Sequence, residues 1–126
     1  MANAALKTPV AFDIHASPPI DLVYLARQTL GDRDLEIELL SMFERQAGQI
    51  VDQLENPGQS ATFRRDLAHT LCGSARAIGA NGVAAVARDY ENSVLRGPGP
   101  EVEERRRLRE MVAGARAAIK DLLGDR

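Results

Sequence analysis

Four segments of this chain repeat apolar residues at spacings of three and four, which is the period of one buried face of an α-helix. The segments cover about residues 33–55, 60–78, 82–95 and 101–123, and short polar turns separate them. Only 4% of the residues are aromatic, and no segment alternates apolar and polar residues as a half-buried strand does. The pattern therefore predicts an all-α chain that folds as an antiparallel four-helix bundle.

Capping residues and helix breakers predict where each helix begins and ends. Asp21 and Gly31 bound a short additional helix, about residues 21–29, ahead of the four long ones. The other expected caps and breaks are Asp32, Asn56-Pro57-Gly58, Ser60, Gly79 and Gly97-Pro98-Gly99-Pro100. Residues 1–19 contain three prolines and no helical period, so we expect a flexible N-terminal arm followed by one domain over residues 20–126.

The apolar face of each long segment predicts which residues fill the core. A chain of 126 residues is long enough to bury one substantial core. The residues expected there are Leu35, Leu39, Phe43, Ala47, Ile50, Leu54, Leu67, Leu71, Ile78, Val83, Val86, Ala87, Tyr90, Val94, Leu108, Met111, Val112, Ala115, Ile119 and Leu122.

The charge balance and the cysteine count exclude several classes of protein. Lys and Arg total 16 against 18 Asp and Glu, so the net charge of −2 provides no positive field for nucleic acid or an anionic membrane. No apolar run approaches the roughly 18 residues that span a bilayer, and the first residues lack the apolar run of a signal peptide. The single cysteine, Cys72, forms no internal disulfide, and we expect a cytoplasmic protein.

His69 lies on the polar face of the third predicted helix. At about 100° per residue, it points roughly 200° away from Leu67 and the core stripe. Arg65 and Arg76 share its face, at i−4 and i+7. Gly73 follows at i+4, although an exposed glycine inside a helix costs roughly 1 kcal/mol relative to alanine. This combination predicts a histidine that a docking partner reaches and modifies.

The stretch from Ala68 to Ala80 resembles the motif of histidine-containing phosphotransfer (HPt) domains in bacterial phosphorelays. That motif reads Ala-His-Thr-Leu-Lys-Gly-Ser-Ala and then Leu-Gly-Ala, and the chain matches it at 68–71, 73–75, 79 and 80. Gly31-Asp32 and Tyr90-Glu91 extend the likeness. Cys72 departs from it, because the family has at this position a lysine that holds the phosphoryl oxygens.

The resemblance implies a phosphocarrier that takes a phosphoryl group on His69 and passes it between receiver-domain aspartates. Helical position and the motif together make Arg65, Cys72, Gly73 and Arg76 the immediate surroundings of that histidine. The implied partners are response-regulator receiver domains and a sensor or hybrid histidine kinase, and magnesium belongs to the receiver. We expect a monomer that has no cofactor of its own and no ATP-binding domain, and that is not an enzyme.

An alternative function shares the same fold. A module that binds a receiver or a kinase without transferring phosphate would explain the loss of the lysine, but it would not explain the retained histidine. A purely structural bundle would leave Gly73 and the arginine-flanked His69 without a purpose. His15, in the N-terminal arm, has no comparable context.

Two further sites are disfavoured by their surroundings. Cys72 and His69 lack the third orienting residue and the oxyanion hole of a nucleophilic enzyme, and they are too few to hold a metal ion. The basic run 105–109 follows Glu101 and Glu103 at the spacing of helical ion pairs to Arg105 and Arg107. A solvated helix face is therefore favoured there over a nucleic-acid site.

Overall fold

The computed structural model describes residues 18–56 and 58–124, which contain five α-helices. The helices are α1 (Leu22–Thr29), α2 (Arg33–Leu54), α3 (Ala61–Ile78), α4 (Asn81–Val94) and α5 (Pro98–Gly124). Within those ranges there is no strand. Helices α2, α3, α4 and α5 pack in a closed ring, each against the next, and α1 packs on α2 and α3. The predicted all-α four-helix bundle with a short N-terminal helix is confirmed.

Ion pairs between α2 and α5 show that these two helices are antiparallel. Glu44, in the middle of α2, contacts Arg116 at 2.7 Å, whereas Glu55, just after α2, contacts Arg109 at 2.8 Å. Moving forward along α2 therefore corresponds to moving backward along α5. The short turns that join α2, α3, α4 and α5 in succession give the same alternation around the ring.

Three side-chain caps begin α1, α2 and α3 as predicted. Asp21 accepts a hydrogen bond from the Tyr24 amide at 3.0 Å, and Asp32 accepts one from the Leu35 amide at 3.1 Å. Ser60 accepts one from the Phe63 amide at 3.1 Å. Each bond satisfies an amide that has no partner within the first turn of its helix.

Among the described helices, only the start of α5 differs from its predicted position by more than one residue. Helix α5 begins at Pro98 and not at Glu101, because a proline in the first turn lacks only an amide that would be unbonded there. Helix α1 ends at Thr29 as predicted, and both Leu30, with φ of 54°, and Gly31 adopt a left-handed conformation after it. Helix α4 begins at Asn81, one residue before the predicted start. Residues 1–17 of the predicted arm, with His15, lie outside the described residues.

The core contains most of the predicted residues, with Tyr90, Leu25, Leu54, Leu71 and Leu108 fully buried at its centre. Three predicted core residues are exposed. Leu35 and Leu122 lie near helix ends, and Met111 lies at the edge of the α4–α5 contact. A further three are only partly buried: Leu39, Leu67 and Val94. Leu40 is buried in α2 next to the partly buried Leu39.

A buried polar cluster joins the end of α4 to the beginnings of α3 and α5, and Arg105 extends it to the Leu54 carbonyl at the end of α2. The Glu101 carboxylate accepts hydrogen bonds from the Tyr90 hydroxyl at 2.6 Å, from Arg64 at 3.1 Å and from Arg105 at 3.2 Å. Burial, and then the hydrogen bond to Glu101, raises the pKa of Tyr90 well above its usual range. The phenol therefore remains a neutral donor in the folded protein.

Gly79 ends α3 and also supports the beginning of α1. Its φ is +83°, and its carbonyl accepts a hydrogen bond from the Asp21 amide at 2.9 Å. A Cβ at this position would lie 2.9 Å from the Asp21 carbonyl oxygen, so a side chain would push α1 away from α3.

We expect Gly79→Ala to lower the free energy of unfolding by about 1–3 kcal/mol, through backbone strain and this close contact. Gly31→Ala is the matched control, because Gly31 has φ of +79° with open space around the Cβ position. Urea unfolding of both variants gives the comparison. Equal losses would show that the α1–α3 contact adds nothing to the backbone strain.

Candidate functional site

Helix α3 buries one face and presents His69 on the other. Ala68, Leu71 and Ala75 are buried against the rest of the bundle. The His69 side chain is 79% exposed, as its predicted position opposite the core stripe requires. The imidazole therefore stands on a rigid helix and is open to a partner molecule.

A hydrogen bond from α4 orients the imidazole. Nδ1 of His69 lies 3.2 Å from Oε2 of Glu91. A carboxylate only accepts hydrogen bonds, so in the neutral imidazole Nδ1 carries the proton and Nε2 carries the lone pair. Among the described residues, no hydrogen bond reaches Nε2. The arrangement holds a nucleophilic nitrogen toward solvent in one ring orientation.

A surface cleft of about 360 Å³ lies beside the imidazole, between α3 and α4. Its lining residues are His69, Cys72, Gly73, Arg76, Arg88, Glu91 and Asn92. The structure thus places Gly73 and Arg76 together with His69, as the sequence predicts. No salt bridge among the described residues involves Arg76 or Arg88, so both guanidinium groups are available to an anion.

Arg65 is not among the residues that line this cleft, although the sequence placed it in the immediate surroundings of His69. It lies one turn before the histidine on α3 and is half-buried. Side chains on a helix tilt toward its N-terminus, so Arg65 is directed away from His69, whereas Arg76 is directed back toward it.

Cys72 lines the cleft but belongs to the core. The residue is only 5% exposed and packs within the buried cluster of the bundle. The sequence interpretation placed it beside His69 as part of the phosphoryl environment, and in the structure the thiol is a buried, unpaired group. Such burial favours a packing role over a nucleophilic one.

Gly73 is exposed in the middle of α3, and nothing lies within 4 Å of the position that a Cβ would occupy. The fold itself therefore does not require glycine here. Because the residue lowers helix propensity without a structural need, its place beside His69 is consistent with a close approach by another molecule.

Arg88 and Asn92 of α4 were missed by the sequence reasoning, and Glu91 entered it only as part of the family resemblance. The three residues share the outer face of α4 at spacings of three and four, and this was the available signal. Which face of α4 lies beside His69 depends on the packing of the two helices, which a single helix pattern does not reveal.

The basic run on α5 is neutralised by neighbouring carboxylates. Arg105 pairs with Glu101 at the predicted i,i+4 spacing. Glu103 pairs with Arg106 and not with Arg107, which instead contacts Glu104 and Asp89. The predicted solvated, paired helix face is thus present with one of its two pairings changed.

Two other kinds of site are absent from the described residues. They contain no group of three or more histidine, cysteine or acidic side chains arranged to hold a metal ion. None of their helices combines the length and the apolar character that crossing a membrane requires.

Comparison with protein families gives one result. A family model described as "Hpt domain" matches residues 38–118, which run from α2 to near the end of α5 and include His69 and Glu91. No significant match was found among curated proteins or among solved structures.

Proposed function

The chain belongs to the HPt domain family, whose members take part in histidine phosphotransfer in phosphorelays, and we propose that it carries a phosphoryl group on His69 between receiver-domain aspartates. Members of this family act as phosphocarriers with phosphorelay kinases and receivers. The family match supports the class of function, and the geometry around His69 supports the residue and its role.

The observation that carries the proposal is the orientation of the exposed imidazole by Glu91. The 3.2 Å contact at Nδ1 leaves Nε2 as the nucleophile beside a cleft that contains two arginines. A carrier needs little more from its own chain, because phosphoryl transfer depends mainly on positioning and charge stabilisation.

The transfer step follows from this tautomer. The Nε2 lone pair attacks phosphorus of the receiver aspartyl phosphate, a P–N bond forms, and the P–O bond to the aspartate breaks with its electron pair. The free carboxylate stays on the receiver, and the proton stays on Nδ1. The ring gains positive charge during the step, and the Glu91 carboxylate stabilises that charge. The same step in reverse passes the phosphoryl group from Nε2 to the aspartate of a second receiver.

The remaining residues of the site have distinct parts in this proposal. Arg76 offers a forked donor to the phosphoryl oxygens, and Arg65 contributes only more distant positive charge. Gly73 leaves room for the loops of the receiver beside the imidazole, and Cys72 packs into the core at the base of the cleft. The receiver supplies the acidic pocket and its magnesium ion.

A panel of phosphorylated receivers tests the proposal. Incubation with the chain should produce acid-labile, base-stable phosphate on the chain together with loss of phosphate from at least one receiver. Receiver binding without any transfer would instead support the alternative, a non-transferring module with the same fold.

Gly73→Glu tests the docking face. We expect stability to stay the same or to rise by up to about 1 kcal/mol through helix propensity. Transfer from the receiver should fall, because the new side chain obstructs and repels an acidic partner. Gly114→Glu is the matched control, since Gly114 is an exposed glycine of α5 with nothing within 4 Å of its Cβ position. Undiminished transfer in Gly73→Glu would place the docking face elsewhere.

A further inference from the structure

Each of the two helices that form the cleft beside His69 contributes one arginine to its lining. Arg76 lines it from α3, and Arg88 lines it from α4. The arginines at 105, 106, 107 and 109 of α5 all contact carboxylates, but no such contact within the described residues engages Arg76 or Arg88. Their charges therefore act on the cleft and on whatever occupies it.

The register of α3 and α4 places Arg88 at a particular level of this cleft. The two helices are antiparallel, and His69 is opposite Glu91. Three residues back along α4 therefore correspond to three residues forward along α3, which brings Arg88 opposite Cys72. At that level α3 itself presents a buried, uncharged side chain.

A second arginine changes the sign of the net charge available to a phosphoryl group in the cleft. Glu91 is needed at Nδ1, but its carboxylate lines the same cleft and repels a phosphoryl group. Arg76 alone would only balance Glu91. Arg76 and Arg88 together leave one net positive charge for the phosphoryl oxygens.

We infer that Arg88 is a phosphoryl-binding residue, which contacts the phosphoryl oxygens on His69 from the α4 side of the cleft. The planar guanidinium can donate two parallel hydrogen bonds to two oxygens, and the contact strengthens as negative charge develops on them during transfer. This inference rests on the proposed phosphotransfer at His69.

Labelling by phosphoramidate tests Arg88 without a receiver. In this reaction Nε2 attacks phosphorus, the P–N bond of phosphoramidate breaks, and ammonia leaves with a proton taken from water. Arg88→Ala should label about fivefold to tenfold more slowly than the wild-type chain, the loss expected of one partly solvated charge-assisted contact. Arg88→Lys should show an intermediate rate, since lysine keeps the charge but not the fork.

Arg45→Ala is the matched control. Arg45 is exposed in a groove between α2 and α5, across the bundle from the cleft, and it has no salt bridge among the described residues. The Arg45→Ala variant should be labelled at the wild-type rate. If Arg88→Ala also labels at the wild-type rate while His69 accepts phosphate, the inference is overturned and the proposed function stands. If the wild-type chain itself is never labelled on His69, by phosphoramidate or by a receiver, the proposed function fails first.

A charge-restoring variant provides an independent readout. Adding Cys72→Lys to Arg88→Ala should raise the labelling rate again, because position 72 lines the same cleft from the opposite wall. Circular dichroism must first show that the double variant is folded, since Cys72 is buried. A folded double variant that labels no faster than Arg88→Ala would contradict the role of cleft charge. Arg88→Lys tests the same role of positive charge in the cleft without altering the core.

Discussion

Replacing His69 with glutamine should abolish phosphate acceptance and leave the fold intact. The side chain is 79% exposed, and its hydrogen bond is to Glu91 at the surface, so the core does not depend on it. Glutamine can still donate to Glu91, but it has no nitrogen lone pair that can attack phosphorus. We expect labelling by a phosphorylated receiver to fall to background, with the melting temperature nearly unchanged.

The chain provides its own control, because it has one other histidine, His15. His15→Gln should accept phosphate as the wild-type chain does. Wild-type labelling of His69→Gln, or loss of labelling in His15→Gln, would show that the acceptor has been assigned to the wrong residue.

The largest expected effect on stability comes from Glu101, at the centre of the buried polar cluster. Its side chain is 8% exposed and accepts hydrogen bonds from Tyr90, Arg64 and Arg105. Glu101→Ala would leave the mostly buried Arg64 guanidinium without its carboxylate and the Tyr90 hydroxyl without its acceptor, and Arg105 would keep only a longer contact of 3.9 Å to Glu55. Breaking a buried ion pair from one side costs about 3–5 kcal/mol, and we expect a loss of that size in urea unfolding.

Glu110→Ala is the matched control on the same helix. Glu110 is 62% exposed and pairs with Arg106 at the surface, so its removal should hardly change the urea midpoint. A Glu101→Ala midpoint close to that of Glu110→Ala would mean that the cluster does not hold this end of the bundle together. Because Tyr90 precedes Glu91, a loosened cluster should also weaken the placement of Glu91 against His69.

Local features of the sequence were sufficient to predict the helices. Apolar spacing defines the buried face of a segment, and the caps at Asp21, Asp32 and Ser60 act within a few residues of themselves. The start of α5 was missed because Pro98 breaks a helix interior but is favourable in a first turn. The exposure of Leu35 and Leu122 was missed because periodicity does not show how far a helix extends beyond its neighbours.

The candidate site could be predicted only in part, because it is shared between two helices. His69, Gly73 and Arg76 lie on one face of α3, and a single helical pattern brings them together. Arg88 reaches the cleft only through the packing of α3 against α4. The family motif predicts Cys72 in the immediate surroundings of His69, whereas its position at the edge of the apolar stripe buries it.

The chemistry of the site therefore depends on the register between α3 and α4 more than on the amino-acid composition of either helix. A one-turn shift of α4 along α3 would separate Glu91 from His69 and leave the imidazole without its orienting acceptor. The buried side chains of α4, including Val83, Val86 and Tyr90, oppose such a shift because it would break their packing. The bundle thus positions a small set of polar groups that could not hold their geometry alone.

The most direct test of the phosphocarrier proposal is to identify the atom that carries the phosphate. The chain, labelled with ¹⁵N in its histidine rings, would be phosphorylated by a receiver and observed by heteronuclear NMR under alkaline conditions. We expect a P–N bond at Nε2 of His69, with the Nδ1 proton retained toward Glu91. A phosphoryl group on Nδ1, on another residue, or on no residue of the chain would contradict the assignment of Nε2 as the nucleophile.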